Sequence, residues 1–252
     1  MLKDMSESEK IQKELYNKIA PTYDLYYSND YALNYRYELY RNILKSIELK
    51  NLKALDAMCG GGQTTGFLLK NNALVTGLDI SESQCEIYKK RYGSCDVVCS
   101  SIIETGFPDS YFDLVVMESL HHLYPHTDKG INEIHRILKP GGYFLLWEPC
   151  AGSIFDLFRK IWYKIDKYYF EKNERSIDLQ KMMKFHDPQF ELIQRKYGGN
   201  LAYLFVQESM VLRINPKIVN FYAQALLRVE KIVNRIQPPF LSLWVLALLR
   251  KK

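Results

Sequence analysis

Short runs of consecutive apolar residues alternate, over the first 150 positions, with stretches in which apolar residues recur every three or four positions. The runs predict strands buried on both faces, and the intervening stretches predict amphipathic helices. The predicted strands are Lys53 to Ala57, Leu74 to Asp79, Asp96 to Cys99, Phe112 to Met117 and Tyr143 to Glu148. The predicted helices between them are Gln63 to Lys70, Glu82 to Tyr92 and Asp128 to Leu138. Such alternation is typical of a doubly wound parallel sheet.

After Pro149 the alternation stops. Helical spacing predicts one helix from Ile154 to Phe170 and a second from Ser176 to Phe185, with Ser176 as its N-cap. The positions that follow predict a strand, a helical section in two parts and a last apolar run: Phe190 to Tyr197, Leu201 to Val211 with Lys217 to Arg235, and Leu241 to Leu249. The last run has nine residues, well short of the roughly twenty that cross a bilayer. We expect an antiparallel strand there, with a membrane-surface helix as the alternative.

A glycine-rich loop follows the first predicted strand. Asp56 ends that strand, and Gly60 to Gly62 let the backbone turn sharply before the next helix begins. Asp79 ends the second strand, where a carboxylate can accept hydrogen bonds from two ribose hydroxyls. The two signals together predict a site for a nucleotide-sized ligand. Alone, the glycines would also suit a tight connection in any α/β fold.

Two ligands are compatible with this loop. A dinucleotide site uses the spacing G-x-G-x-x-G, and here the third glycine position falls on Thr65. Asp56 would also sit poorly beside a pyrophosphate, whereas it suits a cationic ligand or an ammonium group. The residues therefore favour a nucleoside that carries a positive charge.

Composition indicates an ordinary globular protein of 252 residues, with 47% apolar and 25% charged residues. The formal net charge of +5 is modest and its basic residues are scattered, so we expect no nucleic-acid partner. Five cysteines without paired short spacings indicate reduced thiols and no zinc site. The first ten residues lack the apolar run of a secretory leader, so we expect a cytoplasmic protein.

The segment from Leu15 to Pro149 resembles the class I S-adenosylmethionine-dependent methyltransferases, in the branch that looks like ubiquinone, menaquinone and small-molecule methyltransferases. The first family motif, an acid followed by glycines at alternate positions, falls on Asp56, Met58, Gly60 and Gly62, with Met58 replacing the usual first glycine. The stretches 107–117 and 118–123 resemble the turn into the fourth strand and the segment lining the reaction chamber. The turn 139–142, Lys-Pro-Gly-Gly, is the most specific match.

The resemblance implies an α/β fold: a Rossmann-like, seven-stranded, mostly parallel sheet with helices on both faces, an N-terminal helical cap and an inserted helical lid. We expect the cap at 1–50, the cofactor-binding core at 51–150, the lid at 151–187, and strands and helices completing the sheet at 188–252. A lid of this kind roofs the acceptor pocket in related enzymes. Its many aromatic and methionine residues suit a bulky apolar ligand, and ordinary packing explains them about as well.

The resemblance also implies S-adenosyl-L-methionine as the cofactor. Asp79 would hold the ribose, Ser101 the adenine edge and Glu118 the start of the methionine tail; Ser101 replaces the usual acid and can still accept a hydrogen bond. Tyrosines from the cap would cover the sulfonium or the substrate, unless they only pack the cap onto the core. The implied cofactor-binding residues are Tyr16, Tyr23, Asp56, Met58, Gly60, Gly62, Asp79, Ile80, Ser101, Ile102, Met117 and Glu118.

Methyl transfer from a sulfonium is an in-line displacement that requires no metal and no protein nucleophile. An acceptor hydroxyl or amine must still lose a proton, and His121 and His122, just past the fourth strand, are the candidate bases. The alternative is that both histidines are structural and that proximity suffices.

We therefore predict a cytoplasmic methyltransferase acting on a small or lipid-like acceptor. Peripheral membrane contact, the acceptor atom and the oligomeric state stay open. Three other functions are alternatives: a cyclase or isomerase that uses the same cofactor pocket, an NAD-dependent oxidoreductase, and a non-catalytic binding module. The glycine spacing and Asp56 disfavour the oxidoreductase.

Overall fold

The computed structural model describes residues 5–166, 168–169 and 175–252 of the chain. A single sheet in the order β3-β2-β1-β4-β5-β7-β6 runs through it. Its strands are β1 Lys53–Ala57, β2 Leu74–Asp79, β3 Asp96–Cys99, β4 Phe112–Met117, β5 Leu138–Pro149, β6 Phe190–Gly198 and β7 Trp244–Lys251. Neighbours among β1 to β5 are parallel, and β7 is antiparallel to both β5 and β6. The predicted fold class is confirmed.

The final apolar run forms the antiparallel strand β7, so its alternative as a membrane-surface helix is wrong. Residues Trp244 to Leu249 are buried on both faces because β7 lies between β5 and β6 and is covered by helices. Within the described ranges, no helix has both the length and the apolar content needed to cross a bilayer.

The helices differ from the predicted bounds mainly at their ends. They are α1 Glu7–Tyr27, α2 Asp30–Ile43, α3 Thr65–Lys70, α4 Glu82–Arg91, α5 Thr127–Ile137, α6 Ile154–Ile165, α7 Leu179–His186 and α8 Pro216–Val233. The helix predicted up to Phe170 ends at Ile165, and Phe170 itself lies outside the described residues. Asp178, not Ser176, caps α7, because its side chain accepts a hydrogen bond from the Lys181 backbone N–H. Ser176 instead hydrogen-bonds Asp156 of α6.

Two helices at the N-terminus lie across the carboxyl ends of the parallel strands. Ser6 and Glu9 form a capping box that begins α1, and the Asn29 side chain caps α2 by accepting hydrogen bonds from the next turn. α1 packs on α4, while α2 packs on α8 and on a π-helical turn at Tyr203–Gln207. The division into cap, core, lid and C-terminal part drawn from the sequence stays a prediction.

The core consists of two apolar layers on opposite faces of the sheet. One contains Tyr40 of α2 and Trp147 of β5, and the other contains Leu55 of β1 and Ile134 of α5. All five cysteines are free thiols. Because both faces are covered, ligands can reach the sheet only at strand ends, and the carboxyl ends of β1, β2, β4 and β5 face a space under α1 and α2.

Candidate functional site

The glycine loop and the end of β2 are joined by one carboxylate. Gly60 has a positive φ of 52°, and its backbone N–H donates to Asp79 Oδ2 at 2.8 Å. The other carboxylate oxygen of Asp79 accepts from the Ser81 backbone N–H at 2.9 Å. Burial raises the pKa of Asp79, and these backbone hydrogen bonds oppose the rise. Each oxygen retains a lone pair for a further donor.

A cavity of about 680 Å³, measured with its open mouth, lies beside this loop, and we call it the loop cavity. It is bounded by α1, the glycine loop, the end of β2 and residues 100–103. Gln84 of α4 lines it with a fully buried amide whose oxygen and nitrogen have no hydrogen-bond partner among the described residues. A buried amide without partners is costly, so this wall fits a polar ligand.

Nine of the predicted cofactor-site or catalytic residues line the loop cavity: Tyr16, Tyr23, Met58, Gly60, Asp79, Ile80, Ser101, Ile102 and His122. Ser101 Oγ hydrogen-bonds Glu9 of α1 and also accepts from the Ile103 backbone N–H at 3.1 Å. The side chain at Ser101 therefore connects residues 100–103 to the N-terminal helix α1. Met58 adopts a positive φ of 57°, a conformation that glycine would take without strain.

Three predicted cofactor residues lie outside the cavity linings: Asp56, Gly62 and Met117. Asp56 Oδ2 instead accepts a hydrogen bond from Thr65 Oγ1 at 2.7 Å, which fixes the start of α3. Burial raises the pKa of Asp56 to about 8. Gly62 is in contact with Tyr92, where an added Cβ would lie only 2.5 Å from the ring. Asp56, Gly62 and Met117 therefore do not line either cavity, and Asp56 and Gly62 support the glycine loop through contacts outside the cavities.

A second and larger cavity, of about 1420 Å³ with its open mouth, adjoins the first, and we call it the aromatic cavity. Tyr16, Tyr23, Ser119 and His122 line both cavities, so the two meet at these side chains. The remaining wall is largely aromatic and comes from α6, the turn that follows it, β5 and the π-helical turn: Trp147, Phe155, Phe158, Trp162, Tyr163, Tyr169 and Tyr203.

The two candidate histidines have different partners. His121 Nδ1 lies 2.7 Å from Glu148 Oε2, at the end of β5, and the backbone N–H groups of Leu120 and His121 also donate to this carboxylate. His122 Nε2 lies 2.9 Å from the hydroxyl of Tyr16. Glu148 is 1% exposed, and burial raises its pKa to about 8. His121 is thus oriented by a buried carboxylate, the arrangement that a general base requires.

Glu118 lines the aromatic cavity and is engaged by the N-terminal helices. Its Oε2 lies 2.9 Å from Arg36 Nη2, and its Oε1 accepts hydrogen bonds from Thr64 Oγ1 at 2.7 Å and from Tyr40. Arg36 is 3% exposed, and its Nε has no partner among the described residues. The buried guanidinium can therefore meet an anionic group of a ligand in this cavity.

Sequence reasoning missed Arg36, Gln84 and Glu148. Arg36 carried a usable signal, because Ala32 and Tyr40 stand four positions on either side and both belong to the buried face of α2. Glu148 lies near the end of the apolar strand β5, which pairs with β4, and the two histidines follow the end of β4. Gln84 carried no such signal.

Comparisons with known proteins agree with this geometry. Residues 55–146 match the model of the family described as methyltransferase domain. A fatty-acid O-methyltransferase of Mycolicibacterium smegmatis is 30% identical over 46% of this chain and 44% of its own length. A demethylmenaquinone methyltransferase of Staphylococcus aureus is 29% identical over 59% of this chain and 66% of its own length. The crystal structure of the 4+2 cyclase SpnF, 17% identical, superposes with a TM-score of 0.64 over 100% of this chain and 99% of that one.

The family match and the sheet order define the class of this domain. Residues 55–146 match the methyltransferase-domain family, and this match bears out the resemblance to the class I, S-adenosylmethionine-dependent methyltransferases found in the sequence. The likeness to SpnF concerns the fold alone. The matching segment spans less than half of the M. smegmatis relative, so the activity of the whole protein is taken up below as a proposal.

Proposed function

We propose that this protein is an S-adenosylmethionine-dependent methyltransferase whose acceptor is an apolar, lipid-like small molecule. The observation that carries the proposal is the meeting of the two cavities at Tyr16, Tyr23 and His122. A nucleoside held in the loop cavity would present its reactive end to a ligand in the aromatic cavity. The names of the matched relatives, a fatty-acid and a demethylmenaquinone methyltransferase, support an acceptor of this kind.

The residues of the loop cavity fit the cofactor. Asp79 would accept hydrogen bonds from the ribose hydroxyls, and Gly60 leaves the backbone bare beside it. The unpartnered amide of Gln84 would be satisfied by a polar group of the nucleoside. Ile80 and Ile102 would pack on the flat base, next to Ser101.

Bound there, S-adenosylmethionine supplies an electrophilic methyl group. The chain itself has to hold the acceptor in line, exclude water and remove a proton. The aromatic wall, with Trp147, Phe155 and Tyr203 among its residues, would hold an apolar acceptor and keep water out. His121 would take the proton, because it lines the aromatic cavity and its contact with Glu148 through Nδ1 fixes the orientation of the ring.

Transfer of a labelled methyl group tests the proposal. We expect transfer from S-adenosylmethionine to long-chain fatty acids or isoprenoid quinols and little transfer to compact amines such as glycine. Leu204→Trp would narrow the aromatic cavity and reduce transfer to a bulky acceptor while leaving cofactor binding intact. Leu201→Trp, three residues away, exposed and outside the lining, is the control. Transfer to compact polar acceptors alone would contradict an apolar acceptor.

A further inference from the structure

The outer side of α6 is apolar and exposed. Ile154, Leu157, Phe158, Ile161 and Ile165 recur three or four positions apart, and each of them is more than half exposed. Such residues lie along one stripe of a helix. We call this stripe the α6 face. Exposed, contiguous apolar surfaces of this kind are typical of interaction sites.

A second exposed stripe runs along α8, which also has a buried apolar face. The buried face carries Val219 and Ala223, which pack on the core. The opposite stripe, which we call the α8 face, consists of Ile218, Phe221, Ala225, Val229 and Ile232. Phe221 is 91% exposed. Packing within this chain therefore does not explain the α8 face.

The two faces are connected through the segment that follows α8. Ile236 is 83% exposed and Phe240 is 57% exposed, which continues the apolar surface beyond the end of the helix. The short helix Pro239–Leu241 in this segment packs against α6. Exposed apolar side chains are therefore found on α8, on the segment that follows it and on α6, against which that segment packs.

Basic residues flank both faces, and the acids within the two helices are buried, with Asp156 paired to Lys160 and Glu38 of α2 paired to Lys231 of α8. Lys160 and Lys164 border the α6 face, and Lys217, Arg228 and Arg235 border the α8 face or follow it, all of them exposed. The acid within α6 is Asp156 and the acid within α8 is Glu230, and each is only 1% exposed. An apolar stripe with Lys and Arg beside it is the pattern of a helix that lies on an anionic membrane surface.

The α6 face also belongs to the wall of the aromatic cavity. Phe158 and Trp162 line that cavity, yet they are 62% and 41% exposed. The same helix therefore borders both the exposed apolar surface and the proposed acceptor space. A lipid-like molecule could pass along this helix without crossing water.

We propose that the α6 and α8 faces dock on an anionic phospholipid bilayer, which places the mouth of the aromatic cavity at the lipid surface. A second copy of the chain is a poorer occupant, because pairing these faces would bring Lys164 and Arg228 against like charges. Anionic headgroups compensate those charges, and the bilayer interior accepts the apolar stripes. The delivery of an acceptor rests on the proposed function, whereas the docking itself does not.

Sedimentation of the full chain with vesicles tests the docking, in the absence of cofactor and acceptor. We expect the protein to sediment with vesicles of phosphatidylcholine mixed with phosphatidylglycerol, to bind less at high salt, and to stay in solution with phosphatidylcholine alone. The double variant Phe221→Ser with Ile232→Ser should bind at least about tenfold more weakly. Leu74→Ser, at an exposed leucine at the amino end of β2, is the control and should bind like the unaltered protein.

Charge reversal is the second test of the docking. Lys164→Glu with Arg228→Glu should also reduce binding about tenfold or more, and Lys90→Glu on α4 should not. These side chains are exposed, so we expect thermal unfolding to change little. The proposal is overturned if the unaltered protein ignores anionic vesicles, or if the variants bind as tightly as it does. It is also overturned if the protein elutes as a dimer that the serine variants separate and does not bind vesicles.

The readout keeps the two proposals apart. Vesicle binding without methyl transfer would refute the proposed function and leave the docking in place. Methyl transfer to a detergent-solubilised acceptor without vesicle binding would refute the docking and leave the proposed function in place.

Discussion

His121 Nδ1 lies 2.7 Å from Glu148 Oε2, and this contact joins the turn after β4 to the end of β5. The carboxylate also accepts two backbone N–H groups, so it is held in place independently of the imidazole. A carboxyl group held in this way fixes the orientation of the ring. The structure thereby distinguishes His121 from His122, which the sequence alone did not.

The first prediction concerns this pair. If His121 is the base, His121→Ala should lower kcat for a hydroxyl acceptor by about 10²–10⁴-fold, the usual contribution of such a group, with the KM for S-adenosylmethionine unchanged. Glu148→Gln should lower kcat less, because the ring stays and the amide can still hydrogen-bond to its Nδ1. His122→Ala should instead raise the KM for the cofactor, since His122 lines the loop cavity.

The pH dependence of kcat provides the check. The unaltered enzyme should lose activity at acid pH as its base becomes protonated, and His121→Ala should lack that limb. An acid limb that persists in His121→Ala would exclude this residue as the base.

The second prediction concerns the ribose site. Asp79→Ala should raise the Kd for S-adenosylhomocysteine about tenfold or more, because a hydrogen bond to a charged group contributes about 1.5–3 kcal/mol. Asp79→Asn keeps one oxygen acceptor and should bind at an intermediate strength. Isothermal titration measures both, and Asp96→Ala, an exposed acid at the start of β3, is the control. An unchanged Kd in Asp79→Ala would place the ribose elsewhere.

The third prediction concerns the loop backbone. Gly62 has a φ of 87° and lies against Tyr92, so Gly62→Ala should destabilise the fold by about 1–3 kcal/mol through strain and crowding. Gly93→Ala is the matched control, because its added Cβ would be 3.5 Å from the Lys89 carbonyl oxygen, an ordinary contact, and its φ is not positive. Thermal unfolding should show a lower Tm for the first variant only. Equal Tm values would refute the close packing at Gly62.

The fourth prediction concerns stability against pH. Burial raises the pKa of Asp56 from 3.8 to about 8, so between these values the folded chain keeps a proton that the unfolded chain has lost. The free energy of unfolding should therefore fall by about 1.4 kcal/mol per pH unit across this window from this group. The stabilisation is complete below the lower pKa and is lost as pH rises through the upper one.

Asp56→Asn tests this dependence, because its amide oxygen still accepts the hydrogen bond from Thr65. Chemical denaturation at several pH values should give a shallower decline for the variant than for the unaltered protein. Glu148 contributes a decline of the same sign to both proteins, so the difference reports on Asp56. Identical slopes would contradict the raised pKa.

The strands of the sheet could be predicted from the sequence because the central strands are continuous apolar runs with polar ends. The bounds predicted for β1 to β4 agree with the structure, from Lys53 of β1 to Met117 of β4. The start of α3 was predicted two residues early, since Gln63 and Thr64 belong to the turn. At α7 both Ser176 and Asp178 are good capping residues, and only the tertiary contact with α6 decides between them.

The site was less predictable than the fold. Motif spacing brought the residues around Gly60 and Asp79 together, because the turn and the strand end are local features. The partners that come from distant segments, Arg36 with Glu118 and His121 with Glu148, depend on how helices and strand ends meet. Sequence periodicity places a residue on a face, and it does not say which side chain that face will meet.

The central claim is that the loop cavity holds S-adenosylmethionine with its reactive end toward the aromatic cavity. A crystal structure of the protein with S-adenosylhomocysteine tests this most directly. The account predicts ribose hydroxyls within hydrogen-bond distance of Asp79 and a sulfur atom that faces Tyr16 and His122. A ligand found elsewhere, or a nucleotide with its pyrophosphate across Gly60 to Gly62, would contradict it.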